Sequence, residues 1–204
     1  MDVIQKNTIA YDEIAERYCE ITETQGDRDF QEEMLDRTLE FLHADPRIID
    51  LGCGDGRDTY HLKNRGADVV GIDISQSMIA LARKKYPECA FLRSDMRDTV
   101  FPDDTFQGAW ASTSLSNIPK SELSSVEKEI YRILEKGGIS CFSFKIGEGE
   151  GFEETLVEDF EIYQSYYTLD EFKSELNLFD VIDSKRYPGK LFENEFVYCW
   201  AQSR

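Results

Sequence analysis

The sequence predicts an α/β fold: a doubly wound, mostly parallel seven-stranded sheet that closes on an antiparallel pair of strands. Three observations carry this. A hydrophobic run at residues 48–51 ends in three alternating glycines, Gly52, Gly54 and Gly56, within IIDLGCGDG; a buried strand turning sharply into a helix reads this way. Strand-like and helix-like stretches then alternate down the chain, as βα units do. Finally, VIDSKRYPGK and NEFVYCWAQ follow one another across a short turn, with no helix between them. Only an antiparallel pair allows that.

Taken in order, Tyr11, Ile14, Ala15, Tyr18 and Ile21 recur at helical steps and predict an amphipathic helix over residues 8–21. A second helix is predicted over 27–43, with Phe30, Met34, Thr38 and Phe41 inward. The strands IIDLG, DVVGID, AFLRS, FQGAWAS and ISCFSFK follow, with helices predicted over 57–64, 75–86 and 121–135. Ser75 is placed to cap its helix and Pro87 to follow its end, while Gly137 and Gly138 are read as terminating the third. Thr168 and Glu171 form a capping box that opens the last helix.

The 204 residues are enough for one domain with a sizeable core. A net charge of −18, from 41 acidic and 23 basic residues, disfavours DNA, RNA and acidic membrane surfaces as partners. The basic run Arg83-Lys84-Lys85 falls at a predicted helix end, where it complements the dipole. No stretch reaches membrane-spanning length and MDVIQKNTIA lacks a signal pattern, so the expected location is cytoplasmic. Five scattered cysteines, without histidines at metal spacing, predict neither a disulfide framework nor a metal site.

The glycine turn lets backbone approach a ligand closely, and the helix after it presents free N–H groups. Asp73, at the end of the next strand, is placed to accept both hydrogens of a ribose diol. The spacing is GxGxG rather than the GxGxxG of dinucleotide sites. With Asp50 before it and Asp73 after it, this turn resembles motif I of the class I S-adenosylmethionine-dependent methyltransferases. The likeness covers nearly the whole chain and is nearest to the small-molecule group that includes the tellurite-resistance-type enzymes, through LGCGDGRD, RSDMRD, WASTSLSNIP and FKIGEGEG.

The resemblance implies a Rossmann-like methyltransferase domain over 1–204, with an N-terminal helical lid at 1–44 and a core at 45–204. The cofactor it implies is S-adenosylmethionine, released as S-adenosylhomocysteine. Implied cofactor contacts are Asp50, Gly52, Cys53, Gly54, Asp73, Ile74 and Met78, then Asp95 at the adenine amino group and Met96 on the purine face. Ala111, Ser112 and Leu115 follow around the sulfonium, and Tyr11 and Tyr18 belong to the lid. Related sequences often carry histidines in the loop that here holds Ser116 and Asn117, so no general base is assigned. His43 and His61 lie on predicted helices away from the strand ends.

The acceptor of the methyl group is expected to be a small molecule. Candidates to line its pocket are Ser116, Asn117, Lys145, Glu148, Glu150, Tyr163, Tyr166 and Tyr167, with glycines 147, 149 and 151 suggesting a mobile loop. Carboxylates and tyrosines there favour an amine or another electron-rich acceptor. Two other readings stay open at this stage: a protein that binds S-adenosylmethionine without turnover, and a nicotinamide-dependent oxidoreductase. The oligomeric state is left open as well.

Overall fold

A computed structural model describes residues 1–25, 28–188 and 195–204. Its central sheet has seven strands in the order β3-β2-β1-β4-β5-β9-β8. β1 (Arg47–Leu51), β2 (Asp68–Asp73), β3 (Ala90–Arg93), β4 (Phe106–Ala111) and β5 (Leu134–Lys145) pair in parallel. β9 (Glu195–Ser203) runs antiparallel to β5 and to β8 (Phe179–Pro188). The expected turn between β8 and β9 falls at 189–194, outside the described residues.

Both faces of the sheet are covered, and the strand side chains alternate between them as strand geometry requires. Ile49, Ala109, Phe142 and Cys199 point into one core beneath α5 (Leu123–Ile133) and α6 (Leu169–Glu175). Ile48, Trp110, Cys141 and Trp200 point into the other, against α2 (Arg28–Glu40) and α3 (Arg57–Asn64). The two tryptophans keep their ring N–H groups paired inside that core, Trp200 to Thr38 Oγ1 at 2.8 Å and Trp110 to Asp58 Oδ2 at 2.9 Å. α4 (Gln76–Lys85) starts at Ser75, whose Oγ accepts the Met78 N–H.

Several boundaries differ from the sequence expectation. α1 spans Val3–Gln25, longer than 8–21, and Asp2 Oδ1 accepts the Gln5 N–H at its start. The predicted start of the second helix, Asp27, lies outside the described residues; α2 ends at Glu40 because Phe41 and Leu42 tighten into three-residue hydrogen bonds. α5 stops at Ile133, not 135: Asp104 and Thr105 donate to the last helical carbonyls, and Leu134 already pairs with Phe106. Gly137 and Gly138 therefore lie within β5, at an irregular stretch of its pairing with β4, and terminate no helix.

The segment read as a mobile glycine loop carries a strand. β6 (Glu150–Glu154) pairs antiparallel with β7 (Glu161–Ser165) in a separate two-stranded sheet. Before it, Gly147 donates to Tyr167 and Gly149 accepts from Tyr166, so this backbone is tied at both glycines. No helix among the described residues is long and apolar enough to cross a membrane.

Candidate active site

The carboxyl ends of β1, β2, β4 and β5 open into a cavity of about 320 Å³, with α1 as one wall and the β6–β7 hairpin as another. Open α/β sheets bind ligands at this edge. The turn after β1 is pinned from below, since the N–H groups of Gly52 and Cys53 both donate to the Ile72 carbonyl, at 2.8 and 2.9 Å. At Gly54 the backbone has φ of 56°, and a Cβ built there would meet nothing within 4 Å. The turn thus presents bare backbone to the cavity.

Asp73 ends β2 beside that turn. Gly54 N–H donates to its Oδ2 at 3.0 Å and Ser75 N–H to its Oδ1 at 2.8 Å, so each oxygen keeps lone-pair capacity for a ligand. Burial raises its pKa against the effect of those two bonds. Asp50 lies deeper, accepting the Thr59 hydroxyl at 2.6 Å; burial first, and then the charge of Asp58, push its pKa well up.

Asp95 and Met96 border the same cavity, as do Ile74 and Met78. The Arg97 guanidinium grips Asp95 through both oxygens, at 2.7–3.1 Å, and Arg97 N–H adds a bond at 2.9 Å. Burial alone would push the Asp95 pKa up; these bonds outweigh it and hold the group below the usual range. Tyr11 and Tyr18 meet edge to face at 5.4 Å, both lining the cavity from α1. Tyr11 donates to Asn117 Oδ1 at 3.1 Å, and burial raises its pKa, followed by the effect of Tyr18.

Beyond the glycine turn the wall becomes aromatic. Phe30 stacks on Tyr187 at 3.9 Å and meets Tyr198 edge-on at 5.7 Å. Tyr198 OH lies 3.3 Å from Ser112 Oγ, and burial raises its pKa, so it stays a neutral phenol. Lys145, nearly buried at the end of β5, pairs with Glu153 at 3.0 Å, and Glu153 also holds the Tyr166 hydroxyl.

The structure brings together in the cavity lining Tyr11, Tyr18, Asp50, Gly52, Cys53, Gly54, Asp73, Ile74, Met78, Asp95, Met96, Ser112, Asn117 and Lys145. It leaves others outside. Ala111, Leu115 and Tyr167 are packed in the sheet core, and Ser116 is fully buried off the lining. Glu148 is exposed; Glu150 faces away, accepting from Lys120 N–H and Ser165 Oγ. Tyr166 is off the lining, its hydroxyl held by Glu153 and its ring beneath Lys145 Nζ, and Tyr163 does not line the cavity either. The acidic residues on the lining from this segment are Glu153 and Glu154.

Sequence reasoning missed Asn7, Gln31, Asp58, Glu153, Gln164 and Tyr198. Arg57, at the start of α3, is mostly covered: it donates to Gln31 Oε1 at 2.7 Å and pairs with Asp58 at 3.3 Å. Its adjacency to the glycine turn was the available signal. The period-two pattern of NEFVYCWAQ put Tyr198 and Trp200 on one face, but only pairing with β5 places Tyr198 opposite Ser143, next to the site.

Residues 48–138 match the family described as a methyltransferase domain. The putative methyltransferase YqeM of Bacillus subtilis is 34% identical over 111 residues, covering 50% of this chain and 45% of the relative. The chain spans about half the length of the curated relatives it matches. Among solved structures, the 1,6-didemethyltoxoflavin-N1-methyltransferase of Burkholderia thailandensis, with its substrate and S-adenosylhomocysteine bound, aligns over 100% of this chain and 91% of its own. Its TM-score is 0.72 at 17% identity. The [4+2]-cyclase SpnF aligns with a TM-score of 0.78 and 18% identity, covering 98% of this chain and 96% of its own. These neighbours establish a Rossmann-like methyltransferase fold. The family match takes in the strand ends that hold Asp50, Asp73 and Asp95; Lys145, Glu153 and Tyr198 lie beyond it.

Proposed function

We propose that the protein binds S-adenosylmethionine in this cavity and transfers its methyl group to a small-molecule acceptor. The observation that carries this reading is Asp73, its two oxygens oriented by Gly54 and Ser75, beside Gly54, whose face has no side chain in the way. The residues present fit the cofactor: Asp73 would hold the ribose diol, Gly52, Cys53 and Gly54 would lie against the ribose and methionine portion, and Met96 would pack on the purine. Asp95, kept ionised by Arg97, would accept from the adenine amino group. Ile74 and Met78 would close one side and Tyr11 and Tyr18 the other. The tellurite-resistance-type subgroup is the finer form of this proposal and rests on LGCGDGRD, RSDMRD, WASTSLSNIP and FKIGEGEG together.

The bound cofactor supplies a methyl already activated on a cationic sulfur. The chain's own contribution is then mainly placement. Holding two reactants in near-attack geometry lowers a barrier by roughly 7–11 kcal/mol, against about a hundred- to ten-thousandfold from general-base help. Ser112, Tyr198 and the Lys145–Glu153 pair are positioned to orient an acceptor and exclude water. The cavity's carboxylates favour an amine or another electron-rich acceptor over an anion.

A fold shared with a cyclase does not assign methyl transfer, so the test must follow the methyl group. Incubation with methyl-labelled S-adenosylmethionine and a metabolite extract should label a small molecule; binding without label transfer would indicate a binding protein instead. Asp73→Ala should weaken S-adenosylhomocysteine by roughly tenfold or more, because two ribose hydroxyls lose a charged acceptor. Calorimetry giving wild-type affinity for a folded Asp73→Ala protein would overturn the site.

A further inference from the structure

Three buried hydroxyls lack a hydrogen-bond partner among the described residues: Ser114, Ser116 and Ser140. Of these, Ser114 alone borders the cavity. A buried hydroxyl left unpaired bears the full cost of leaving water, and native structures rarely keep one without a reason. The surroundings of Ser114 are also costly to build. The preceding residue, Thr113, sits at φ of 56°, in the left-handed region that a β-branched side chain disfavours. Among the described residues the other positive-φ positions besides glycine are Asp45, Asp104 and Asp159, whose short polar side chains tolerate it better. Thr113 N–H donates to Ser143 Oγ at 2.7 Å, which locks this turn to β5.

The turn presses Ser114 onto the glycine motif. A Cβ added at Gly52 would lie 2.5 Å from Ser114 Cβ, 3.3 Å from its Oγ and 3.4 Å from Met96 Cε. Gly52 is therefore bare because Ser114 occupies that space, and Met96 reaches the same spot. Strain of this kind persists where the surrounding structure enforces it, and it gathers at ligand sites.

We infer that Ser114 is a cofactor-binding residue, its hydroxyl donating to the nucleoside portion of S-adenosylmethionine. The inference rests on the proposed cofactor reading and extends it to a residue that the family resemblance did not supply. A serine hydroxyl turns about one bond among three staggered positions, so it meets a ligand atom without moving the backbone. The nucleoside is the partner because Ser114 and Met96 both lie within 4 Å of a Cβ built on Gly52, and Gly52 and Met96 are the residues assigned to the ribose and the purine.

The test is calorimetry of Ser114→Ala with two probes, S-adenosylhomocysteine and 5′-methylthioadenosine, which has the nucleoside without the amino-acid tail. Both affinities should fall by about five- to thirtyfold, while the melting temperature of the ligand-free protein holds or rises, because an unpaired hydroxyl has been removed. Ser140→Ala, equally unpaired but inside the sheet, should leave both affinities unchanged. Unchanged binding by Ser114→Ala, or a loss confined to S-adenosylhomocysteine, would overturn the assignment; so would a lowered melting temperature, which would make the hydroxyl part of the fold. Should the alanine variant not fold, Ser114→Cys, of similar size and weaker as a donor, gives the same comparison. Failure of the wild type to bind either probe would instead strike the cofactor reading itself.

Discussion

Asp50 and Asp73 face one cavity but answer to different neighbours. Asp73 takes two backbone N–H groups, whereas Asp50 takes the Thr59 hydroxyl and feels Asp58. Burial and that second carboxylate hold the Asp50 pKa well above its ordinary 3.8. A carboxyl raised in this way binds its proton more tightly folded than unfolded, so stability is lost as pH rises from the ordinary value through the raised one. Asp50→Asn cannot ionise and escapes that loss. The melting temperature of the variant minus that of the wild type should therefore grow as pH rises above the ordinary carboxyl value, at about 2–4 °C per kcal/mol for a chain of this size. Calorimetric scans showing a pH-independent difference would refute the assigned titration. Asp73 was legible in the sequence because its whole context is local, a strand end following a glycine turn. Glu153 and Tyr198 were not, since register and tertiary pairing bring them to the site and no short motif records either.

At the scale of elements, α1 is fastened at two places that the sequence pattern did not reveal. Asn7 donates to and accepts from the Tyr163 backbone, at 3.0 and 2.7 Å, so its amide acts as a rung on the edge of β7. Asp12 Oδ1 accepts from Ser75 Oγ at 2.6 Å and Ser77 N–H at 2.9 Å, capping α4 from a neighbouring helix. Ser75 also donates its N–H to Asp73, which links this latch to the proposed ribose acid. Asp12→Ala removes a carboxylate from a helix N-terminus and should cost about 0.5–2 kcal/mol. Hydrogen exchange should quicken in α1 and the first turn of α4 while β1 and β4 stay protected; uniform quickening would show that the latch is not local. Helix periodicity exposed the apolar stripe of α1 but not these polar contacts. The β6–β7 hairpin escaped for a similar reason. Glu150–Glu154 offers acidic residues and one phenylalanine rather than an apolar alternation, and its strand character comes from pairing with β7. By contrast, α3 and β2 were bounded by the sequence at Arg57–Asn64 and Asp68–Asp73, because flanking turns mark their ends.

Over the whole molecule the dominant property is negative charge. The chain carries −18, and among the described residues the cavity is lined by seven carboxylates against the cations Arg57 and Lys145. Fields of one sign inside a low-dielectric cleft concentrate ligands of the other sign. S-adenosylmethionine carries a net positive charge through its sulfonium, and S-adenosylhomocysteine, the spent form, carries none. On the proposed reading this field favours the methyl donor over its product, and it does so through long-range attraction that salt screens. The Debye length shrinks from about 30 Å at 0.01 M to about 3 Å at 1 M ionic strength. Across that range the affinity for S-adenosylmethionine should fall several-fold, while that for S-adenosylhomocysteine stays nearly constant, since their shared contacts are short and partly buried. Parallel titration calorimetry of the two ligands measures the ratio directly. A ratio that does not move with salt would mean that donor and product are told apart by contacts at the sulfur, such as the wall near Ser112, and not by the charge of the molecule.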